Sequence, residues 1–469
     1  MKIIVNNTIQ IHNPPKQLIE LAKTKLVLVN PKFQQVERLG FSTWNIPKLI
    51  HYYSIKEDCL TIPYGMLASI RKRYPDAQYV YEHKNIEKIE EERREEGEKE
   101  CVNRNELVLY DYQKEAVEEL LKVKNGILVA PPGYGKTETA VFFMKQMSVK
   151  TLWIAHTKDL IKQAEDRLKK YYNFKVGTIT EGKNNIQDIT FATIQTLDKF
   201  TKEIKNSFDL IILDECHHYT SAGLSQKSQM FERVVNSLNA RYKIGLTATP
   251  FRSDKLDLGI RVLLGPIIHE IKQDNQNIVK AKIQFCLTEF GKNGLPDDCF
   301  KRGNIIYSKV ISHLTENSER NNLLLEQIEK YRHKKLIILS ERVEHLEELR
   351  EIVGEGSLFV GKIKSSERTE ILEKARKGEI NIIFATYKIF QEGIDLTNFD
   401  TLLFATPKKW KGSIIQAIGR IERKDKNNPN KAPLVIDLAD YQTRILKGQA
   451  KKRKEVYKAN NNEILPLEK

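Results

Sequence analysis

Cysteine and long apolar runs are what this sequence has least of. Its five cysteines, Cys59, Cys101, Cys216, Cys286 and Cys299, are odd in number and scattered, with no Cys-x-x-Cys pair. That speaks against a disulfide framework or a zinc site and suits reduced thiols in a cytoplasmic protein. No apolar run approaches the roughly 18 residues of a membrane span, so no membrane association is expected. The N-terminal apolar stretch breaks at Asn6-Asn7, too early for a signal peptide. Acidic residues are in deficit: 77 Lys and Arg against 62 Asp and Glu leave a formal charge of +15. Such a balance suits a nucleic-acid partner. With 469 residues, 40% of them hydrophobic, the chain is long enough for about three domains of roughly 150 residues each.

Residues 1–84 read as a small α+β domain. Lys2 to Ile11 predicts two short strands around Asn6-Asn7, and Asn13-Pro14-Pro15 a helix start with Asn13 as its cap. Ile46 to Ile55 and Cys59 to Ile62 read as strands, and Tyr64 to Tyr74 as a helix. Basic and aromatic residues mingle here: Trp44, Lys48, His51, Tyr52, Tyr53, Arg71 and Arg73. Either they form a surface that holds phosphates and stacks bases, or the rings are core and the charges solvated. Pro75-Asp76 followed by Glu82-His83-Lys84 matches the letters of a PD…ExK nuclease signature, although five residues leave little room for the hairpin between its halves. Residues 85–105 are charge-dense and read as a linker.

From residue 106 strand and helix signals alternate, the pattern of an α/β parallel sheet. The apolar run Gly126 to Val129 leads into Ala130-Pro131-Pro132-Gly133-Tyr134-Gly135-Lys136-Thr137 and then a helix, the context of a phosphate-binding P-loop. Gly133 and Gly135 let the backbone curl so that N–H groups face phosphate oxygens, with Pro132 in the same turn. Lys136 supplies a cation for the β- and γ-phosphates of ATP, and the Thr137 hydroxyl a ligand for Mg²⁺. Upstream, Gln113 can read the adenine edge with its donor and acceptor together. The apolar run Asp209 to Leu213 ends in Asp214-Glu215-Cys216-His217-His218. Asp214 would hold Mg²⁺ and Glu215 would polarise the attacking water. A further run, Tyr242 to Leu246, enters Thr247-Ala248-Thr249-Pro250.

Ala-x-x-Gly-x-Gly-Lys-Thr, Asp-Glu-x-His and Thr-Ala-Thr, in this order and spacing, resemble motifs I, II and III of superfamily 2 helicases. The resemblance implies two tandem RecA-like lobes, residues 106–275 and 276–445, after the N-terminal α+β domain and before a basic tail, 446–469. It implies coupling of the γ-phosphate to lobe movement at Thr247 and Thr249. His156-Thr157-Lys158 and Thr193-Ile194-Gln195-Thr196 resemble strand-contacting motifs, implying nucleic-acid contacts at Thr157, Lys158, Thr193 and Gln195. In the second lobe Ser340-Glu341-Arg342 is similar to motif IV. Ala385-Thr386 opens a segment through Gly393-Ile394-Asp395 that is similar to motif V. Gln416-Ala417-Ile418-Gly419-Arg420-Ile421-Glu422-Arg423 is similar to motif VI. These imply strand contacts at Arg342 and Thr386 and coupling at Gly393 and Asp395. Arg420 and Arg423, three apart on one helical face, would serve as arginine fingers, and Gln416 would order the attacking water. Arg252-Ser253-Asp254 after Thr-Ala-Thr-Pro resembles the XPB/UvsW branch, whose members often carry Arg-Glu-Asp there; Arg252 would be a further nucleic-acid contact. The implied protein is an ATP- and Mg²⁺-dependent helicase or translocase acting as a monomer on branched, forked or duplex DNA. An RNA helicase, a restriction-type motor and an ATP-gated nucleic-acid sensor stand as alternatives.

Overall fold

The computed structural model describes residues 1–38, 40–82, 107–131, 133–180, 183–218, 226–248, 257–271, 278–301, 303–393, 396–408, 411–425 and 427–467. The chain divides into two compact units, Met1–Lys272 and Gln273–Lys469.

The first unit opens with strands β1 (Lys2–Val5), β2 (Thr8–His12), β3 (Val27–Val29), β4 (Leu49–His51), β5 (Ser54–Lys56), β6 (Cys59–Pro63) and β7 (Gln78–Tyr81). Five of them form one sheet in the order β5-β6-β2-β1-β7, and β3 pairs with β4. The alternation of Ile3, Val5, Ile9 and Ile11 buries one face of that sheet against the Lys16–Lys25 helix. Asn13 does not cap this helix. It sits in a left-handed turn at φ 52° and Pro15 takes the cap position, because two consecutive prolines hold the chain extended first.

Next come β8 (Asn125–Val129), β9 (Thr151–Ala155), β10 (Val176–Thr180), β11 (Lys183–Asn185), β12 (Ile189–Thr193), β13 (Leu210–Leu213), β14 (Tyr242–Thr247) and β15 (Ile267–Glu270). They form an eight-stranded sheet in the order β11-β10-β12-β9-β13-β14-β8-β15, parallel except for the β10–β11 hairpin. The central strands are buried along their whole length, which is why they read as continuous apolar runs. Asp111–Val123 leads into β8, and the crossover helices Lys136–Met147 and Lys158–Tyr171 carry the chain from β8 to β9 and from β9 to β10.

The small N-terminal sheet is built onto this lobe. The Tyr64 hydroxyl donates to the Arg241 carbonyl at 2.7 Å, and the Lys243 ammonium lies 5.0 Å from the Tyr64 ring centre. Gly65 packs so closely that a Cβ there would collide with backbone atoms of Arg261, Val262 and Gly265. Val262 and Leu258 complete the apolar core of the N-terminal domain.

The second unit holds β16 (Lys282–Leu287), β17 (Phe300–Lys301), β18 (Asn304–Ile305), β19 (Leu336–Ser340), β20 (Ser357–Phe359), β21 (Ile382–Thr386), β22 (Thr401–Phe404) and β23 (Leu434–Ala439). Its parallel sheet runs β16-β23-β22-β19-β21-β20 with an apolar core on each face. The unit is thus a second α/β lobe. Much of the stretch read as a basic tail belongs to the Arg444–Ala459 helix. Arg453 forms a buried two-point ion pair with Asp437 at 2.8 Å per bond, and the Tyr457 hydroxyl donates to the same carboxylate at 2.6 Å. The helix keeps Lys447, Lys451, Lys452, Lys454 and Lys458 exposed on its other side.

Candidate active site

Parallel strands end on one rim, and in this topology ligands gather outside their carboxyl ends. In the first lobe β8 delivers the Pro131–Lys136 loop to that rim, β13 delivers Asp214 and Glu215, and β14 delivers Thr247. Gly133 and Gly135 take φ values of 89° and 70°, the left-handed conformations that let the loop turn its N–H groups inward. Lys136 and Thr137 begin the Lys136–Met147 helix, so its positive end adds to the loop. Pro132 lies outside the described residues.

The Lys136 ammonium sits 3.4 Å from Glu215 Oε1 and also reaches the Ala130 carbonyl at 3.4 Å. Glu215 is held at φ 48°, a left-handed conformation uncommon for a side-chain-bearing residue, and its N–H donates to Asp214 Oδ1 at 3.0 Å. Burial, then the adjacent Glu215 charge, pushes the Asp214 carboxyl up, against the pull of Lys136. Burial opposes ionisation of Glu215 as well, but Lys136 and the neighbouring His217 hold its carboxyl well below the usual range. A buried carboxylate, Asp214, and a half-buried one, Glu215, beside a lysine at a glycine-turned loop form a donor set that fits ATP with a divalent cation. Thr137 and Asp214 would hold the cation, and Gly133, Gly135 and Lys136 the phosphates.

His217 is the residue whose role the sequence left unread. Its Nδ1 lies 3.3 Å from Glu215 Oε2 and 2.9 Å from Thr247 Oγ1, joining the end of β13 to the end of β14. The rings of His156, His218 and His217 lie in series, mutually tilted by 42° and 37°, with centres 4.3 and 4.1 Å apart. Thr249 and Arg252 lie outside the described residues.

Gln113 has both ends of its amide engaged within the chain. Its Oε1 accepts from the Tyr110 N–H at 3.0 Å, and its Nε2 donates to the Tyr134 carbonyl at 3.2 Å. The side chain braces the phosphate-binding loop, and a Cβ on Gly135 would strike it.

The strand-contact candidates fall on the same rim, because β9 and β12 are neighbours. Thr157 caps the Lys158–Tyr171 helix by accepting from the Leu160 N–H at 3.3 Å, and Lys158 is exposed beside it. The exposed Gln195 amide donates to the His156 carbonyl at 3.3 Å, and the Thr193 hydroxyl lies 2.9 Å from that of Thr196.

In the second lobe Arg342 precedes the Val343–Val353 helix and donates to the Ser308 carbonyl at 3.0 Å. Thr386 ends β21, and Gly393 ends the Tyr387–Gly393 helix. Asp395 lies outside the described residues. Gln416 is buried on the Lys411–Ile421 helix. Arg420 is on that helix and Arg423 is not, which corrects the expectation of one shared helical face. The helix ends at Ile421, and Arg423 pairs in a β-bridge with Ile278 while its carbonyl accepts from Lys431 Nζ at 2.8 Å. Between the two arginines stands Glu422, buried and unforeseen. Its Oε1 accepts from the Ala281 N–H at 3.1 Å and from Asn462 Nδ2 at 2.7 Å, and Lys280 Nζ lies 3.6 Å from Oε2.

The nuclease letters do not assemble a metal site. Asp76 and Glu82 flank opposite ends of β7, Glu82 accepts from Asn6 Nδ2 at 2.9 Å, and Lys84 lies outside the described residues. Among the described residues, a group able to ligate a metal is Asp298, Cys299 and His313. There Lys309 already pairs with Asp298 at 3.2 Å, and Cys299 is a core thiol among Phe290, Val310 and Leu314.

Two family models match this chain. "Type III restriction enzyme, res subunit" covers residues 106–252, and "Helicase conserved C-terminal domain" covers residues 319–425. The DNA 3'-5' translocase XPB2 of Sulfurisphaera tokodaii is 30% identical over 385 residues, 72% of this chain and 84% of that protein. Among solved structures, S. cerevisiae Dbp5 bound to RNA and ADP BeF3 matches with a TM-score of 0.55 at 14% identity, over 76% of this chain and 90% of that one. The ATP-dependent Type ISP restriction-modification enzyme LlaBIII bound to DNA matches with a TM-score of 0.53 at 18% identity, over 72% of this chain and 28% of that one. The structural likenesses establish a fold of two RecA-like lobes.

Proposed function

The chain belongs to the superfamily 2 helicases of the XPB type, and from that premise we propose which of its side chains run the motor and on what. It is an ATP-hydrolysing DNA helicase or translocase. ATP with Mg²⁺, when bound, supplies the phosphoryl group whose transfer to water drives the cycle. Lys136 neutralises phosphate charge, Thr137 and Asp214 hold the cation, and Glu215 orients water and accepts its proton. Glu215 lies 3.4 Å from Lys136 Nζ, which places its carboxylate beside the phosphate-binding lysine, where an attacking water would be oriented. Arg420 and Arg423 are the proposed charge-neutralising groups of the second lobe, with Gln416 beside them. Thr157, Lys158, Thr193, Gln195, Arg342 and Thr386 are proposed to hold the backbone of one strand, and Thr247 with Gly393 to couple ATP turnover to movement. For Thr249, Arg252 and Asp395 the proposed roles rest on the motifs alone.

The observation that carries this most directly is the continuous contact from Lys136 through Glu215 and His217 to Thr247. It ties a phosphate-binding loop to the strand end that carries the third motif. We propose further that the preferred substrate is branched or forked DNA, because a small domain is built onto the ATP-binding lobe through Tyr64 and Gly65. ATPase activity measured across single strands, duplex, forks, four-way junctions and matched RNA, with Lys136→Ala as blank, tests this. Strongest stimulation by forks or junctions is expected. Strongest stimulation by RNA would overturn the DNA assignment.

A further inference from the structure

The N-terminal domain exposes large apolar side chains along one segment. Trp44 is 91% exposed and Phe41 55%, with Val29 and Leu49 also at the surface. Tyr52, by contrast, is core, and Arg71 lies over the rings of Tyr79 and Tyr81 at 5.8 and 5.2 Å. The structure thereby separates the packed aromatics of this domain from those that face outward.

The loop that presents Trp44 is built rather than loose. Asn30, 0% exposed, donates from its side chain to the Pro47 carbonyl at 2.8 Å and from its backbone to the Lys48 carbonyl at 2.9 Å. Gly40 turns the chain at φ 71°, the Phe41 N–H donates to the Val36 carbonyl at 3.1 Å, and the Ile46 N–H to the Thr43 carbonyl at 2.9 Å. A loop whose backbone is already pinned at both ends has less of its own freedom to lose on binding.

Charge indicates the occupant. Residues 38–56 contain Arg38, Lys48 and Lys56 and no Asp or Glu, and Lys48 is exposed four residues from Trp44. An exposed ring in a segment that carries cations and no carboxylates matches a strand that offers base faces and phosphates together. We propose that the loop 40–48 is a nucleobase-stacking surface, on which Trp44, flanked by Phe41, takes an unpaired base of a DNA fork while Lys48 contacts a phosphate. The proposal rests on the DNA-motor reading above. Because Tyr64 and Gly65 fix the domain to the ATP-binding lobe, the stacked base is held at a set place relative to that lobe.

The test uses the full chain, forked DNA with unpaired arms and blunt duplex of equal length. Trp44→Ala is expected to weaken fork binding by roughly 5- to 100-fold, leaving duplex binding unchanged. Trp44→Phe should recover part of the loss, and Lys48→Ala should lower the salt dependence of both substrates by about one ion. Tryptophan fluorescence should be quenched by the fork in the wild type and much less so in Trp44→Phe. Fork affinity unchanged in Trp44→Ala, with DNA-stimulated ATPase intact, overturns the stacking surface and leaves the motor standing. A Trp44→Ala change seen only in self-association marks a protein interface and likewise overturns it. If no DNA stimulates the wild type above the Lys136→Ala blank, the motor reading fails and this proposal with it.

Discussion

His217 Nδ1 lies 2.9 Å from the hydroxyl of Thr247, so the ends of β13 and β14 are joined by a side-chain bond inside the candidate active site. The same nitrogen lies 3.3 Å from Glu215. A histidine between the water-activating carboxylate and the third motif is placed to report on one to the other.

If that bond transmits, His217→Ala and Thr247→Val should each keep ATP binding but lower DNA stimulation of hydrolysis by about tenfold, within the usual range of coupling energies. The double variant should be no worse than either single one. Additive losses in steady-state ATPase assays would show that the two residues act separately.

Glu215→Gln should retain ATP binding and lose hydrolysis by about 10²- to 10⁴-fold, the contribution of a general base. Lys136→Ala should lose both. Equilibrium nucleotide binding measured beside turnover separates the two, and hydrolysis near wild type in Glu215→Gln would remove Glu215 from the base role.

Glu422 holds the Ala281 N–H and the Asn462 amide beside Arg423. Glu422→Ala leaves both donors buried without that acceptor, at a cost of about 1–3 kcal/mol each. We expect a lower melting temperature together with at least a roughly tenfold drop in kcat, as Arg423 loses its anchored neighbour. A lower melting temperature with unchanged kcat would confine Glu422 to stability.

Lys243 is fully buried under Tyr64, and burial lowers its pKa from 10.5 to about 7. The unfolded chain therefore binds more protons than the folded one between those values, so this group's contribution makes stability rise with pH across that window. Below about pH 7 the penalty is fully present. The Tyr64 ring and the Val235 carbonyl, 3.4 Å from Nζ, offset part of it. Lys243→Met should stabilise the protein by about 1–4 kcal/mol near neutral pH. The gain should shrink toward about pH 10 as both states lose the proton. Thermal melts at two pH values check this, and an equal gain at both would mean that the ammonium is not the cause.

Local sequence determined a good deal here. The buried parallel strands β8, β13 and β14 were legible because a strand covered on both faces has no polar alternation to hide it. The phosphate loop was legible because glycine, lysine and threonine must follow one another in the chain to curl around a phosphate. The edge strands β11, β15 and β16 were not, since their pairing depends on partners distant in sequence.

Tertiary structure alone decided the contacts between motifs. Nothing local shows that His217 meets Thr247, that Gln113 spends its amide on the P-loop, or that Glu422 binds the entry strand of its lobe. The helical spacing of Arg420 and Arg423 misled because the helix stops at Ile421, where a β-bridge to Ile278 takes over. Composition also left Trp44 and Tyr52 equivalent, two rings in one basic segment. Burial separated them: Trp44 stands out from an irregular loop, whereas Tyr52 is tied by its N–H to the Leu26 carbonyl at 2.8 Å and packs into the core.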